Sequence, residues 1–328
     1  MKVLVTGSAG HLGEALMRTL RQAGTPATGL DILPSAFTDQ VGSIADAACV
    51  QRAMVGVDVV YHTATLHKPH VATHSEQAFI DTNISGTRLL LEAAVAAGVQ
   101  AFVFTSTTST FGDALRSPVG EPAAWITEAV TPRPKNIYGV TKTAAEDSCR
   151  LYARNHKLAC VVLRTSRFFP EMDDDADRRR MFPDQNLKTN EFLYRRVELA
   201  DVVSAHECAA QQAARLGFGL YIISATAPFE PADVAQLNND PAAVVRQRVP
   251  EFEAGYQALD WRMLQRIDRV YVNAAARRDL GWRPRYDFRS VLAQCLQGQD
   301  PRSALCRAIG IKGYHAESFA DGPYPVQP

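Results

Sequence analysis

The sequence has no excess of charge of either sign, no closely paired cysteines and no long apolar run. Its 35 Lys and Arg residues balance its 35 Asp and Glu residues, which argues against a broad surface for nucleic acid or for an anionic membrane. The six cysteines form no CxxC pair, so we expect free thiols and no metal site. No apolar stretch is long enough to cross a bilayer, and the chain opens directly on the strand-like run MKVLVTG. We therefore expect no signal peptide and a cytoplasmic protein.

What the sequence does contain is an alternation of short apolar runs and helix-like stretches. This alternation is typical of a parallel sheet with helices on both faces. It predicts strands at 2–6, 28–30, 58–63, 101–106, 159–164 and 220–225, and helices at 12–23, 75–97, 138–155 and 273–280. The highly charged segment 169–190 shows no periodicity and is predicted to be a loop or a flap.

A glycine-rich turn joins the first predicted strand to the first predicted helix. Gly7, Gly10 and Gly13 stand in the run TGSAGHLG. Positions without side chains let the backbone turn tightly and approach a pyrophosphate, which rests on the N–H groups at the start of the helix. Asp31 ends the second strand, where a carboxylate accepts hydrogen bonds from ribose hydroxyls and repels a 2′-phosphate. The pattern predicts a Rossmann-type doubly wound sheet that binds NAD in preference to NADP.

A second pattern, Tyr138-Gly-Val-Thr-Lys142, lies at the start of a predicted helix. Side chains four positions apart share one helix face, so the phenol and the ammonium would project side by side. A nearby cation stabilises a phenolate and makes tyrosine a better base. The strand and turn FVFTSTTSTFG adds hydroxyl groups at the carboxyl end of another strand, where the cofactor crevice of an open sheet lies.

Taken together, the sequence resembles the extended short-chain dehydrogenase/reductases, and in particular the sugar 4-epimerases of the NAD-dependent epimerase/dehydratase branch. The resemblance covers residues 1–170 well and 265–290 recognisably, with the motifs in the family's order. The motifs are TGSAGHLG, DIL, DVVYHTA, NISGT, FVFTSTTSTFG, YGVTK, VLRTSRFF and RRDLGWRP.

The resemblance implies roles for individual residues. Thr107 would hydrogen-bond the reacting oxygen, Tyr138 would be the acid/base, and Lys142 would bind the nicotinamide ribose and tune Tyr138. The family's further cofactor contacts fall on His11, Leu12, Ile32, Ser43, Ile44, Thr63, Ala64, Thr65 and Asn83. The resemblance also implies a homodimer that forms through the helices at 75–97 and 138–155.

The sequence departs from the family's pattern at several positions. Thr108 and Ser109 replace the Asp-Glu pair of the dehydratases, which disfavours dehydration, and Ser43 stands at an often acidic position. Arg167 replaces an expected Asn. The segment between Pro170 and Asp201 is shorter than the nucleotide-gripping insert of the nucleotide-sugar epimerases, which favours a smaller substrate or a nucleotide sugar held in another way.

Residues 1–165, with later segments at about 195–225, are predicted to form the NAD-binding domain, and 166–328 mainly a smaller substrate-binding lobe. Thr107, Thr108, Arg167 and Arg196 are the predicted substrate residues, since arginine can present a planar fork to a carboxylate or phosphate, although surface roles for the arginines are equally open. The charged run 173–180 is either a lid or, more simply, a salt-bridged surface. The histidines at 62, 67, 70 and 74 favour substrate contact or a solvated loop over a metal site.

Three functions remain open at this point. The first is an NAD-dependent epimerase acting on a secondary hydroxyl of a sugar-like substrate. The second is a net dehydrogenase or reductase of a small hydroxy or keto substrate, which needs the same Thr, Tyr and Lys. The third is a non-catalytic NAD-binding protein, which the retention of Tyr138 and Lys142 disfavours.

Overall fold

The structure, a computed structural model, describes residues 1–313 together with His315, Phe319, Gly322 and Tyr324. Its strands are β1 (Val3–Thr6), β2 (Ala27–Asp31), β3 (Gln40–Val41), β4 (Val59–His62), β5 (Ala101–Thr107), β6 (Ala124–Ile126), β7 (Cys160–Thr165), β8 (Phe218–Ile223) and β9 (Arg269–Tyr271). Seven of them form one parallel sheet in the order β3-β2-β1-β4-β5-β7-β8. The direction of winding reverses between β1 and β4. Such a reversal leaves a crevice at the carboxyl ends of the strands, and open α/β sheets bind their ligands there.

Helices cover both faces of this sheet and build most of the remaining chain. They are α1 (His11–Gln22), α2 (Ala47–Ala53), α3 (Glu76–Phe79), α4 (Thr87–Ala97), α5 (Ile137–His156), α6 (Ala176–Met181), α7 (Asp184–Glu191), α8 (Leu199–Leu216), α9 (Val234–Leu237), α10 (Pro241–Arg248), α11 (Phe252–Leu259), α12 (Ala274–Asp279), α13 (Phe288–Leu296) and α14 (Ala304–Ile309). In the described part of the chain, no helix is both long and apolar enough to cross a membrane.

Strand residues alternate between two apolar cores, one on each face of the sheet. Val3 and Val5 of β1 pack with α1 and α8, whereas Leu4 packs with α2, α4 and α5. In β7, Val161 faces the first core and Val162 the second. Because both faces are buried, the strands read as continuous apolar runs, which is why the sequence predicted them. The predicted α/β, doubly wound fold is confirmed.

A second group of elements lies outside the main sheet. The strands β6 and β9 pair in parallel as a separate sheet, and a third apolar core joins α7, α10, α11 and α13. Helix α8 and strand β8 return to the main sheet. We propose that 1–165 with 195–225 form the NAD-binding part and that the rest of 166–328 is the substrate-binding lobe.

Two predictions of local structure were wrong. The predicted loop at 169–190 contains helices α6 and α7, which are too short to show a helical period in the sequence. Asp175 caps α6 by accepting the N–H groups of Asp177 and Arg178. The predicted continuous helix at 75–97 is interrupted by a π-helical segment, Ile80–Gly86, between α3 and α4. Segments of this kind occur often at functional sites.

Candidate active site

The glycine turn is packed so closely that side chains are excluded from it. Gly7 has a φ of +74°, and a Cβ there would lie 2.7 Å from the backbone nitrogen of Ala64. A Cβ on Gly13 would lie 1.9 Å from the carbonyl oxygen of Gly7. Gly10 begins helix α1, whose first residues His11 and Leu12 carry N–H groups of the kind that lack partners within a helix. The turn thus brings bare backbone to the β1 side of the crevice.

Asp31 is held beside this turn by two backbone hydrogen bonds. Its carboxylate accepts the N–H of Ala9 through Oδ2 and that of Leu33 through Oδ1, each at 2.9 Å. Ile32 is 65% exposed next to it. The main-chain carbonyl of Asp31 accepts the N–H of Gly42 at 2.8 Å, which brings the segment with Ser43 and Ile44 to the same edge of the sheet.

The loop after β4 is connected to the glycine turn on one side and to helix α5 on the other. Thr63 donates its hydroxyl to the carbonyl of Thr6 at 2.7 Å. Asn83, in the π-helical segment, accepts the Thr65 hydroxyl at 2.8 Å and donates to the Thr141 hydroxyl at 3.0 Å. Asn83 therefore positions helix α5 against the loop, and its contact with cofactor stays a prediction.

Tyr138 lies in the first turn of α5, which begins at the Asn136 cap; the Asn136 side chain accepts the N–H of Gly139. Tyr138 is 6% exposed, and its phenol lies near the side chain of Thr107 at the end of β5. Burial raises the pKa of Tyr138 to about 12, against the hydrogen bond from Thr107, which lowers it. Thr108, next in the chain, is also buried. The predicted Thr–Tyr pair is thus in contact.

Lys142 lies one helical turn beyond Tyr138, with its ammonium buried. Its Nζ donates to the main-chain carbonyl of Thr105 at 2.7 Å and lies 4.0 Å above the ring of Phe104. Burial lowers the pKa of Lys142 to about 7, although the negative charge of Glu146 opposes this shift. The lysine is therefore able to change its charge near neutral pH.

A buried ion pair that the sequence analysis missed supports this lysine. Glu146 accepts three hydrogen bonds from Arg164, two from Nε at 2.9 and 3.2 Å and one from Nη2 at 2.6 Å, and a further one from Ser106 at 2.5 Å. Glu146 follows Lys142 by four positions, so the helical spacing could have indicated it. The pair fixes α5 to β5 and β7 directly behind the Thr107–Tyr138 contact.

Of the four clustered histidines, His67 packs near Tyr138. Its ring centre is 6.1 Å from that of Tyr138 and 6.1 Å from that of Phe169. Burial, with smaller effects of His70 and Lys142, lowers the pKa of His67 to about 3, so the imidazole is neutral at physiological pH. His62, by contrast, is buried between the hydroxyls of Thr6 and Thr87 and is part of the core.

The arginines predicted to contact substrate surround an acidic centre. Arg196 pairs with Glu191 at 2.8 Å, and Arg167 pairs with Asp173 at 2.9 Å. Although burial raises the pKa of Glu191, the guanidinium groups of Arg195, Arg196 and Arg167 hold it well below its ordinary value. Arg167 is about one-fifth exposed and Arg196 is buried. These contacts hold the segment after β7 in place, and substrate binding by Arg167 and Arg196 stays a prediction.

Comparison with known proteins identifies the family. Residues 3–214 match the model of the NAD dependent epimerase/dehydratase family. The chain belongs to this family. The family is described as NAD dependent, which confirms the predicted cofactor.

Individual relatives differ in their sequence identity to this chain and in the share of the chain that they match. A UDP-glucose 4-epimerase of Streptomyces lividans is 32% identical over 49% of this chain and 50% of its own length. A 3-beta-hydroxysteroid dehydrogenase of Mycolicibacterium neoaurum is 25% identical over 90% of each chain. The chain spans about half the length, or less, of the first curated relatives it matches. A short-chain dehydrogenase/reductase superfamily protein from Agrobacterium tumefaciens, solved with bound NAD, shares the fold, with a TM-score of 0.63 at 23% identity over 90% of this chain and 96% of that one.

The geometry of the site fits NAD. The turn at Gly7–Gly13 has no space for a Cβ where the backbone must approach a pyrophosphate. Asp31 lies beside that turn at the end of β2, where a ribose is bound in this fold. Tyr138 and Lys142 lie on the other side of the crevice, beyond the end of β5. The two ends of the dinucleotide thus have matching protein groups.

Proposed function

We propose that the enzyme oxidises and reduces a secondary hydroxyl of a sugar or sugar-like substrate in the manner of an epimerase. The observation that carries this proposal is the juxtaposition of the buried Tyr138 phenol with the Thr107 hydroxyl, with the Lys142 ammonium one helical turn away. These three residues together provide a base, a hydroxyl for the reacting oxygen and a cation.

Each of these groups has a chemical task. When bound, NAD supplies the acceptor for the hydride that leaves the substrate carbon. Tyr138 takes the hydroxyl proton, and the charge of Lys142 favours the phenolate that this step needs. Thr107 would hold the reacting oxygen, since its side chain lies near the Tyr138 phenol. An epimerase then requires that the oxidised substrate turn in the site and be reduced on its opposite face before release.

The substrate side of the site supports a compact substrate. The segment after β7 is short, and its arginines are held by Glu191 and Asp173. Arg167 is the most exposed of these arginines and is the better candidate for an anionic group of the substrate. We assign Thr108 and Arg196 to the same region with supporting roles. The neutral imidazole of His67 lies above Tyr138 and is a further candidate for substrate contact.

A net dehydrogenase is the second candidate, and one observation favours it. A 3-beta-hydroxysteroid dehydrogenase matches over 90% of both chains, whereas a UDP-glucose 4-epimerase matches over about half. Such an enzyme would use the same Thr107, Tyr138 and Lys142 and would release the oxidised product.

The test measures cofactor content and cofactor balance together. We would purify the protein without added cofactor, denature it and identify the released dinucleotide by chromatography. We would then supply sugars, nucleotide sugars and hydroxysteroids and follow both substrate isomers and absorbance of reduced cofactor. Retained NAD with isomer formation and no build-up of NADH supports the epimerase; stoichiometric NADH supports the dehydrogenase. Full activity in Tyr138→Phe would refute both.

A further inference from the structure

The last described residues reach both sides of the crevice between β1 and β4. On the β1 side, the Lys312 ammonium donates to the carbonyl of Ala9 in the glycine turn at 2.7 Å and pairs with Glu14 of α1. On the β4 side, His315 Nε2 is hydrogen-bonded to the carbonyl of Pro69 at 3.0 Å. Only three positions separate Lys312 from His315, a reach of about 10 Å. Lys312 and His315 therefore contact the two sides of the crevice within a short stretch of sequence.

Two further contacts fix this segment to the region after β7. The backbone N–H groups of Lys312 and Gly313 donate to Glu171 Oε1 at 3.2 Å and 3.3 Å. Glu171 also pairs with His11, in the first turn of α1, at 2.7 Å. The Tyr324 hydroxyl donates to Asp174 at 3.0 Å.

Asp174 in turn connects the segment to the loop after β4, because it also pairs with Lys68 at 2.5 Å. Although burial raises the pKa of Asp174, the charges of Lys68 and Arg167 and a hydrogen bond from Tyr324 bring it below its ordinary value. The carboxylate is therefore charged at neutral pH and able to hold both partners. Three separate parts of the crevice rim thus meet the same C-terminal residues.

These contacts lie at the point of the sheet where the order of the strands reverses. Ala9 follows β1 and Pro69 follows β4, the two strands between which the winding reverses. A dinucleotide bound in this fold lies at that reversal, with its pyrophosphate at the turn after β1. Lys312 and His315 thus contact the two loops that flank that place.

We propose that Lys312, Gly313, His315 and Tyr324 belong to a C-terminal strap that covers bound NAD and slows its release. Lys312 anchors the strap to the glycine turn and adds a positive charge near the pyrophosphate. Tyr324 closes the other end on Asp174. The proposal depends on NAD binding at the strand reversal, and it holds whether the enzyme is an epimerase or a dehydrogenase.

The test compares rates of cofactor exchange in full-length variants. Lys312→Ala, Tyr324→Phe and the double variant would be loaded with NADH, and its release would be followed by fluorescence after addition of excess NAD. Tyr324→Phe is the sharper probe, because it removes one hydroxyl at Asp174 and leaves the glycine turn untouched. Arg302→Ala, which removes an exposed pair with Asp300 just before α14, is the matched control.

We expect release to be about tenfold faster or more in the double variant, faster in each single variant, and unchanged in the control. Association should also quicken, since an open crevice admits the cofactor more readily. Unchanged release in Tyr324→Phe and in the double variant would overturn the proposal. Tighter NADH binding in the variants with an unchanged release rate would also overturn it, because the C-terminal segment would then compete with the cofactor for the site. Neither result depends on knowing the substrate.

Discussion

The ammonium of Lys142 donates a hydrogen bond of 2.7 Å to the main-chain carbonyl of Thr105. Taking this charge out of water costs free energy, and the cost appears as a pKa lowered to about 7. The unfolded chain, with an ordinary lysine pKa of about 10.4, binds more protons than the folded chain between these values. The stability of the protein should therefore rise with pH across this window.

Replacement of Lys142 by Met tests this relationship. We expect the increase in the free energy of unfolding from pH 7 to pH 10 to be smaller in this variant by up to a few kcal/mol. We also expect kcat/KM to fall by about a hundredfold or more, because Tyr138 loses its cation. Urea denaturation at several pH values measures the first effect. Lys157→Met, at an exposed lysine at the end of α5, is the control. A parallel pH dependence in both variants would contradict the assignment.

The buried pair of Glu146 and Arg164 predicts a non-additive loss of stability. Arg164→Met leaves the Glu146 carboxylate buried with only Ser106 as a partner from this network. We expect a loss of about 3–5 kcal/mol, since removing one member of a buried pair strands the other charge. The double variant Glu146→Met/Arg164→Met should recover much of this loss. Denaturant titration of the four proteins measures the coupling, and simple additivity would show that the pair is not the source of the effect.

Much of this site was predictable because its residues lie at the ends of elements that the sequence marks clearly. Gly7, Asp31 and Thr107 follow apolar runs that can only be buried strands, and parallel strands bring their carboxyl ends to one edge. Tyr138 and Lys142 follow from helical spacing. The glycine turn and its neighbour Ala64 could be predicted to lie together for the same reason.

What could not be predicted depends on contacts between distant segments. Glu191 gathers Arg167, Arg195 and Arg196 through helix α7, which the sequence analysis took for a loop because its eight residues show no apolar period. Likewise, nothing near Lys312 in the sequence indicates that it meets Ala9. From the sequence alone, a charged residue on the surface cannot be distinguished from one in a buried network, because its partners lie far away in the chain.

Cofactor preference should depend on the charge of Asp31. Asp31→Asn retains an oxygen for one of the two backbone hydrogen bonds, from Ala9 or Leu33, but removes the charge that repels a 2′-phosphate. We expect the ratio of kcat/KM for NAD over NADP to fall by about tenfold or more, which is about 1.4 kcal/mol. Steady-state kinetics with both cofactors measures it. Asp39→Asn, at the next strand edge, is a control for general disturbance, and an unchanged ratio in Asp31→Asn would place the selectivity elsewhere.

His67 should affect substrate binding more than the pH profile. Burial lowers its pKa to about 3, so the imidazole carries no charge over the working range and should contribute no ionisation near pH 6.5 to kcat. We expect His67→Gln to raise KM by about tenfold with a smaller change in kcat. His74→Gln, in the same loop, is the control. An acid limb near pH 6 that disappears in His67→Gln would instead make His67 a proton-transfer group.

Exposed apolar residues on helix α5 provide a test of the dimer that the family resemblance implies. Val140 is 49% exposed and Leu151 is 42% exposed. They are 11 positions, or about three helical turns, apart and therefore share one face. If α4 and α5 pack against a second copy of the chain, both side chains become buried. We propose this homodimer, and Leu151→Glu should convert it to a monomer because a buried, unpaired carboxylate opposes association.

Light scattering after gel filtration measures the mass of each variant. Val119→Glu, at a 76% exposed residue before β6, is the control and should leave the mass unchanged. Val140→Glu should act as Leu151→Glu does, although it lies close to Tyr138 and its activity must be measured at the same time. A wild-type protein that is already a monomer, or a Leu151→Glu variant that stays dimeric, would show that this face is not the interface. If the variant is monomeric and still retains NAD, the cofactor site is complete within one chain, as the strap of Lys312 and Tyr324 requires.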